Sequence, residues 1–378
     1  MDLKRYKAGK FINQFGYKSF SPELLNRQWI VSQPELITLL EEANLRLGEL
    51  NAFSLFVPDI DTFLRMHIVK EATQSSRIEG TRTKIDEAVL DEKNISPEMK
   101  DDWQEVQNYI VAMNYSISRM DKLPISNRLI REAHKILLKG VRGKHKLPGE
   151  FRSSQNWIGG ATIKDARFIP PHHSLIPELM YDLEKFLNNT DIKVPHLIRI
   201  GMAHYQFEAI HPFLDGNGRI GRLLITLYLV NQKILSKPTL YISDFIEKNR
   251  QHYYDNLSGV SFNSNIIQWL KFFLAGIIQT ANTAVDTLNT ILALRNKLEN
   301  KTIITLGKRI PNAQALLNYL YSKPVVTVVD VMQKLSITKQ TANTLIRDFE
   351  NLNILKEQTG FKRNRIFIFK EYLNLFEK

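Results

Sequence analysis

Twelve residues, H-P-F-L-D-G-N-G-R-I-G-R from His211 to Arg222, join two apolar stretches, M-A-H-Y-Q-F-E-A-I before and I-G-R-L-L-I-T-L-Y-L-V after. The placement predicts a loop that feeds a helix. Ile220, Leu223, Leu224 and Leu227 keep helical spacing, so the helix is expected from just after Gly218 to about Asn231. Gly216-Asn217-Gly218 is then its first turn, where N–H groups without intrahelical partners and the positive end of the helix dipole form an anion site. The two glycines let an anion approach the backbone closely. Arg219 and Arg222 are three apart, a spacing that lets both guanidinium forks reach one polyphosphate. Asp215 offers a hard carboxylate of the kind that holds Mg²⁺. His211 carries the side chain whose ordinary pKa suits removal of a hydroxyl proton near neutral pH.

Each of these residues alone reads as a glycine turn with surface arginines. Together, at these offsets, they resemble the signature H-x-F-x-[DE]-G-N-G-R-x-x-R of the Fic family, and every signature position is matched. The resemblance implies an AMP transferase acting on protein hydroxyls (Ser, Thr or Tyr), itself included, with MgATP as co-substrate. His211 is the implied base, Asp215 the metal carboxylate, and Gly216, Asn217, Gly218, Arg219 and Arg222 the phosphate cradle. Upstream, S-x-x-x-E-G at Ser75–Gly80 fits the family's inhibitory-helix motif, with Ser75 and Glu79 as its residues. Standing alone, Glu79 would be a solvated helix-end carboxylate.

No G-x-x-x-x-G-K-[ST] and no kinase-type glycine loop is present, so ATP binding falls to the His211–Arg222 loop. A metal hydrolase built from His172, His173, His204 and His211 is the alternative enzyme, but neither H-E-x-x-H nor an H-x-x-x-H pair is present to support zinc. The absence of cysteine excludes a disulfide scaffold and thiol catalysis. The basic N-terminus lacks an apolar segment behind it, and the longest apolar run is interrupted by Gln268 and Lys271. A cytoplasmic protein without a membrane partner is therefore expected.

Three regions are expected: an N-terminal helical region with the inhibitory helix over 1–90, a Fic core over 91–300, and a C-terminal winged helix over 301–378. The fold class is mainly α, a Fic-type helical bundle with a small β-hairpin flap. A loop-rich lead-in is followed by a helix from Pro34 to about Leu50 and a second that stops at Gly80. Between Lys139 and Pro171, glycine, proline and short β-prone runs replace helical spacing and predict the flap. The order G-E-F-R, W-I-G-G, F-I-P-P resembles the family's flap over the nucleotide, implying contacts from Ile158, Gly159, Gly160 and Ala161 and strand addition by a target segment. His134 reads as a packed helix residue. Tyr253 and Tyr254 read as packing aromatics, and the family's Y-Y-x-x-L element implies that Tyr254 borders the adenine.

Of the chain's net charge of +12, the last 78 residues carry thirteen Lys and Arg against six Asp and Glu. A-Q-A-L-L-N-Y-L, V-V-D-V-M-Q-K-L and K-Q-T-A-N-T-L-I-R-D-F-E-N-L predict three helices, and I-L-K-E-Q with R-I-F-I-F predicts a wing. The recognition helix offers Lys339, Gln340, Asn343 and Arg347, and the wing offers Lys362, Arg363 and Arg365 for DNA phosphates. Protein contact or homodimerisation is the alternative use of the same unit. A second class of function also follows, a DNA-binding regulator whose core senses ligand, as does a variant enzyme that transfers another phosphate-linked group.

Overall fold

In the computed structural model the described residues are 1–57, 59–360 and 365–377. The lead-in is more regular than expected: β1 (Gly9–Asn13) and β2 (Lys18–Pro22) form an antiparallel hairpin with Phe11 opposite Phe20. Phe20 turns inward, and its N–H donates to Ile169 O of the flap at 2.8 Å. Pro34 sits at the first turn of α1 (Pro34–Phe56), where its missing N–H is harmless. Next comes α2 (Ile60–Ile78), with Glu79 as its C-cap and Gly80 at φ 100° turning the chain out.

The bundle continues through α3 (Ile85–Ala88), α4 (Lys100–Arg119) and α5 (Asn127–Leu137), the last started by Ser126, whose hydroxyl accepts from Leu129 N. After the flap come α6 (Ile176–Asn188), α7 (His196–Ile210) and α8 (Asn217–Asn231). Both α7 and α8 are buried around nearly their whole circumference, so they form the axis of the molecule. Their junction is the His211–Arg222 motif, and α8 starts two residues before the expected point.

The second half is closed by α9 (Ser243–Lys248), α10 (Arg250–Asn263) and α11 (Ile266–Lys297), the last a single continuous helix packed along α1. The expected linker is itself helical and kinks at Gly307 (φ 55°). Beyond it lie α12 (Ile310–Ser322), β3 (Val325–Thr327), α13 (Val328–Leu335), α14 (Lys339–Asn351), β4 (Lys356–Glu357), β5 (Ile366–Ile368) and α15 (Lys370–Leu373). The strands pair antiparallel in the order β3-β5-β4. Strand β3 was not expected from the sequence, whereas α13 and α14 are, each capped by a threonine (Thr327, Thr338). Lys362 and Arg363 lie outside the described residues, and Arg365 lies over the Phe367 ring. The C-terminal unit packs on α2: Tyr321 meets Phe63 edge-on at 5.4 Å, and Phe376 meets His67 at 5.1 Å. No described helix is long and apolar enough to cross a membrane.

Candidate active site

The turn between α7 and α8 is fixed by groups outside it. His211 ends α7 with φ 50°, a conformation costly for a residue with a Cβ, and its N–H donates to Phe207 O at 2.9 Å. Arg152 holds it there. Its Nε donates to His211 O at 2.9 Å and its Nη2 to Pro171 O at 2.6 Å, which ties the flap's base to the loop. Asn217 has both amide atoms committed to Phe213, Oδ1 accepting from its N and Nδ2 donating to its O, each at 2.9 Å. Its side chain builds the turn, and its backbone N–H is what it can offer an anion.

His134, buried in α5, stacks on Phe213 at 3.7 Å; its Nδ1 accepts from Gly149 N at 2.8 Å, which leaves Nε2 to donate to Asp215 O at 2.9 Å. Gly216 (φ 77°) starts α8 in the left-handed region that glycine adopts cheaply. The first intrahelical bond there is Ile220 N to Gly216 O, so the N–H groups of Asn217, Gly218 and Arg219 have no partner from the preceding turn.

The two arginines do not converge. Three residues of helix leave them roughly 60° apart around the axis. Arg219 turns to α4, its Nη1 2.9 Å from Glu105 Oε2, with both side chains buried and Asp215 Oδ1 at 3.6 Å. Arg222 turns to α2. Its Nε donates to Ser75 Oγ at 2.9 Å, and its Nη2 donates to Ser75 O at 2.9 Å and to Glu79 Oε1 at 2.7 Å. Burial works against the Arg222 charge, but Glu79, Tyr253 and Glu208 together outweigh it and raise the pKa. Burial likewise opposes the Glu79 charge, and Arg222, with Arg219 and His211 behind it, still holds that carboxyl below its usual range. A Cβ on Gly218 would lie 2.2 Å from Glu79 Oε1, so the carboxylate rests on the bare first turn of α8.

A cavity of about 340 Å³ opens beside this pair, lined among others by Glu79, His211, Gly218, Arg222, Ile158 and Gly159. Tyr253, Tyr254 and Trp157 wall it as well, Tyr254 half-exposed. Gly160 and Ala161 do not line it. Ile158 pairs with Phe168 as a single bridge, and Gly160 (φ 78°) closes the turn against Asp165 O, 2.3 Å from where its Cβ would lie. Its glycine character thus serves the flap's own turn.

Burial, seconded by Arg152, pushes the His211 imidazole down to about 4, so it is neutral at pH 7. Nδ1 faces Glu208 O at 3.3 Å; with the proton placed there, Nε2 is the acceptor. Glu208 itself lines the cavity, with Oε1 lacking a hydrogen-bond partner among the described residues, and burial pushes its carboxyl up to about 8. Sequence reasoning missed Arg152, Glu105 and Glu208, and read His134 as packed, which it is, without its hold on Asp215 O. Only Glu208, three residues before His211 in F-E-A-I-H, had a local signal. The alternative reading, a histidine-built metal site, finds no support: among the described residues no group of three His, Cys, Asp or Glu could hold a metal. His204 is buried instead, between Gly221 O (3.0 Å) and the Tyr253 hydroxyl (2.8 Å).

A histidine with a free acceptor nitrogen, bound to a glycine-rich helix start and faced by a flap, defines a class of protein by geometry, and sequence comparison gives it a family. Residues 124–229 match the Fic/DOC family model and residues 37–118 the Fic/DOC family N-terminal model; the chain belongs to the Fic/DOC family. It is 28% identical over 247 residues to the protein adenylyltransferase Fic of Aedes aegypti, covering 65% of this chain and 43% of that protein. To the protein of the same name from Drosophila erecta it is 33% identical over 159 residues, 42% of this chain and 28% of that one. The chain thus spans less than half the length of these relatives.

Among solved structures, a Fic family protein from Desulfovibrio desulfuricans G20 superposes with a TM-score of 0.58 at 20% identity, covering 91% of this chain and 98% of that one. A Fic domain containing signaling protein from Bacteroides thetaiotaomicron superposes with a TM-score of 0.52 at 19% identity, covering 68% and 97%. These likenesses show the fold.

Proposed function

We propose that this chain transfers AMP from ATP to Ser, Thr or Tyr hydroxyls of target proteins, its own included, and that Glu79 restrains the reaction. The observation that carries the reading is His211, its Nδ1 toward Glu208 O, on a cavity lined also by Gly218 in the first turn of α8 and by Arg222. His211 takes the target hydroxyl's proton as the hydroxyl oxygen bonds to the α-phosphorus. The bond from that phosphorus to the bridging oxygen breaks, and pyrophosphate leaves. Backbone N–H groups from Asn217 to Arg219 stabilise the charge on the phosphates. Arg222 serves the outermost phosphate once Glu79 has withdrawn, and Tyr254 with Ile158 and Gly159 borders the base.

Asp215 suits Mg²⁺. Its carboxylate is 42% exposed at the start of α8, and Mg²⁺ takes one or two carboxylates together with phosphate oxygens and water. Bound there, the ion would neutralise phosphate charge. Mass spectrometry of the protein incubated with MgATP tests the reading: an AMP adduct in wild type, lost in His211→Ala, is expected.

A second reading rests on α14, which exposes Lys339, Gln340 and Arg347 in a β3-β5-β4 unit of winged-helix order, as a DNA-binding regulator requires. Asn343 bonds back to Lys339 O in its own helix. Label from α-phosphate-labelled ATP separates the two, since a pure sensor transfers none to protein.

A further inference from the structure

The aromatic rings beside the His211 cavity do not stop at its wall. Phe168 of the flap lines the cavity, and Phe262 of α10 meets it edge-on at 6.5 Å. Phe11 of β1 stacks on Phe262 at 5.1 Å, and Phe20 closes the circuit at 5.2 Å from Phe11 and 5.6 Å from Phe168. Phe20 is buried, whereas Phe262 and Phe11 are 53% and 38% exposed, and Phe15 in the hairpin's turn is exposed entirely. Single exposed rings need no explanation, but a stacked pair that continues a cavity wall marks a contact surface.

Position and charge narrow what covers it. On the proposed function a target brings its hydroxyl to His211, so the surface at the cavity's edge lies under the target during transfer. Main-chain bonds to the flap cannot tell one target from another, and side-chain contacts beside them do. The hairpin, residues 9–22, carries Lys10 and Lys18 and no acidic residue. Its register sets Lys18 opposite Asn13, on the face that holds Phe11 and Phe20. In the flap, Arg167 precedes Phe168 and rests its stem on Gly159 of the cavity wall. Lys18 and Arg167 are exposed, and neither pairs with a carboxylate among the described residues.

We propose that this face docks the segment of the target beside the modified hydroxyl, and that it selects segments in which a large apolar side chain is flanked by carboxylates. The apolar side chain lies on the Phe11 and Phe262 rings, and the carboxylates meet Lys18 and Arg167 at the rim. Rings of this kind supply contact area, while the rim charges steer approach and reject basic segments. The assignment rests on AMP transfer to protein as proposed above.

The probe is a series of short synthetic peptides with a single threonine among glutamates and glycines, phenylalanine being placed at each other position in turn. Each has a mate with serine in place of the phenylalanine. Saturation-transfer NMR on the full chain without nucleotide reads docking. Transfer to the phenylalanine ring of at least one peptide is expected with wild type. A drop of about fivefold or more is expected with Phe262→Ser, with Phe11→Ser, and with Lys18→Glu combined with Arg167→Glu. Melting curves confirm that the variants fold, and Phe262→Ser carries the test if Phe11→Ser loosens the hairpin. With MgATP and Glu79→Gly, the docking peptide should be modified with a kcat/KM about tenfold above its serine mate, a preference lost when Phe262→Ser is added. No ring transfer in wild type, or equal transfer in Phe262→Ser, overturns the docking face. A matching loss of ATP affinity in Phe262→Ser would give the rings to the nucleotide, and a wild-type dimer that this variant dissociates would give them to a second copy; either overturns the proposal. Docking by a chain that transfers AMP neither to a peptide nor to itself would overturn the proposed function and leave the face standing.

Discussion

Replacing Glu79 with glycine separates restraint from support. The carboxylate lies 2.7 Å from Arg222 Nη2 and rests on Gly218, in the space where a phosphate would meet the same guanidinium. Two anions cannot share it, so ATP bound beside Glu79 is expected to carry its phosphates displaced. Displacements of about 1 Å cost ~100-fold in rate, and Glu79→Gly is expected to return that factor in AMP transfer with a smaller change in ATP affinity. The same substitution removes the carboxylate from an Arg222 that is 1% exposed. Breaking a buried pair costs about 3–5 kcal/mol, but the Glu79 side chain is 33% exposed and Arg222 keeps both bonds to Ser75, so a loss of about 1–2 kcal/mol is expected. Transfer from α-phosphate-labelled ATP gives the rate, and urea unfolding gives the stability. The double variant with His211→Ala should be silent, showing that the gain runs through one site. A rate equal to or below wild type in Glu79→Gly would refute the inhibitory role and leave Glu79 a helix-end carboxylate.

His211→Ala should lower transfer by ~100-fold or more while ATP still binds, measured by calorimetry beside the activity assay; wild-type turnover would remove His211 as the base. Asp215→Ala should lose Mg²⁺-dependent activity, and a rate insensitive both to the substitution and to chelation would argue against a metal carboxylate. Stability should peak near about pH 6.5 in urea titrations across pH. His67 and His204 are held down to about 3 and His134 and His211 to about 4, so the folded state binds fewer protons than the unfolded below 6.5, and stability falls as pH drops toward 4. Glu208 runs the other way: raised to about 8, it makes stability fall as pH rises from 4.5 to 8, by up to about 1.4 kcal/mol per unit. Glu208→Gln should flatten the limb above 6.5, and an unchanged slope there would show that Glu208 is already ionised.

The His211–Arg222 turn was legible because its chemistry sits in contiguous residues whose geometry follows from helix spacing. What lay beyond reach were partners supplied from a distance. Arg152 and His134, 59 and 81 residues from the backbone carbonyls they hold, look like an ordinary flap arginine and a core histidine until the fold brings them to the loop. Arg219 shows the limit of spacing arguments. Its distance from Arg222 fixes their angular relation, but Glu105, 114 residues away, decides where its guanidinium points. The N-terminal hairpin and β3 were missed because strands of five and three residues hold too few alternations to stand out, and β3 finds its partner only about 40 residues later. Glu79 was read through the family resemblance, since six loosely defined residues carry little by themselves.

In the proposed function, restraint and catalysis meet at Gly218. An anion at the start of a helix is favoured by the unpaired N–H groups and the dipole, whatever molecule supplies it. In this structure the Glu79 carboxylate lies against Gly218 and pairs with Arg222, and the missing Cβ of Gly218 makes the room. A phosphate needs the same room and the same Arg222. On the proposed function, the bare Gly218 that admits a phosphate to Arg222 also admits Glu79. Restraint of this kind needs no second site on α8. It needs a rival anion on a helix whose position can be tuned, and α2, packed against both the core and the C-terminal unit, is placed to be that helix.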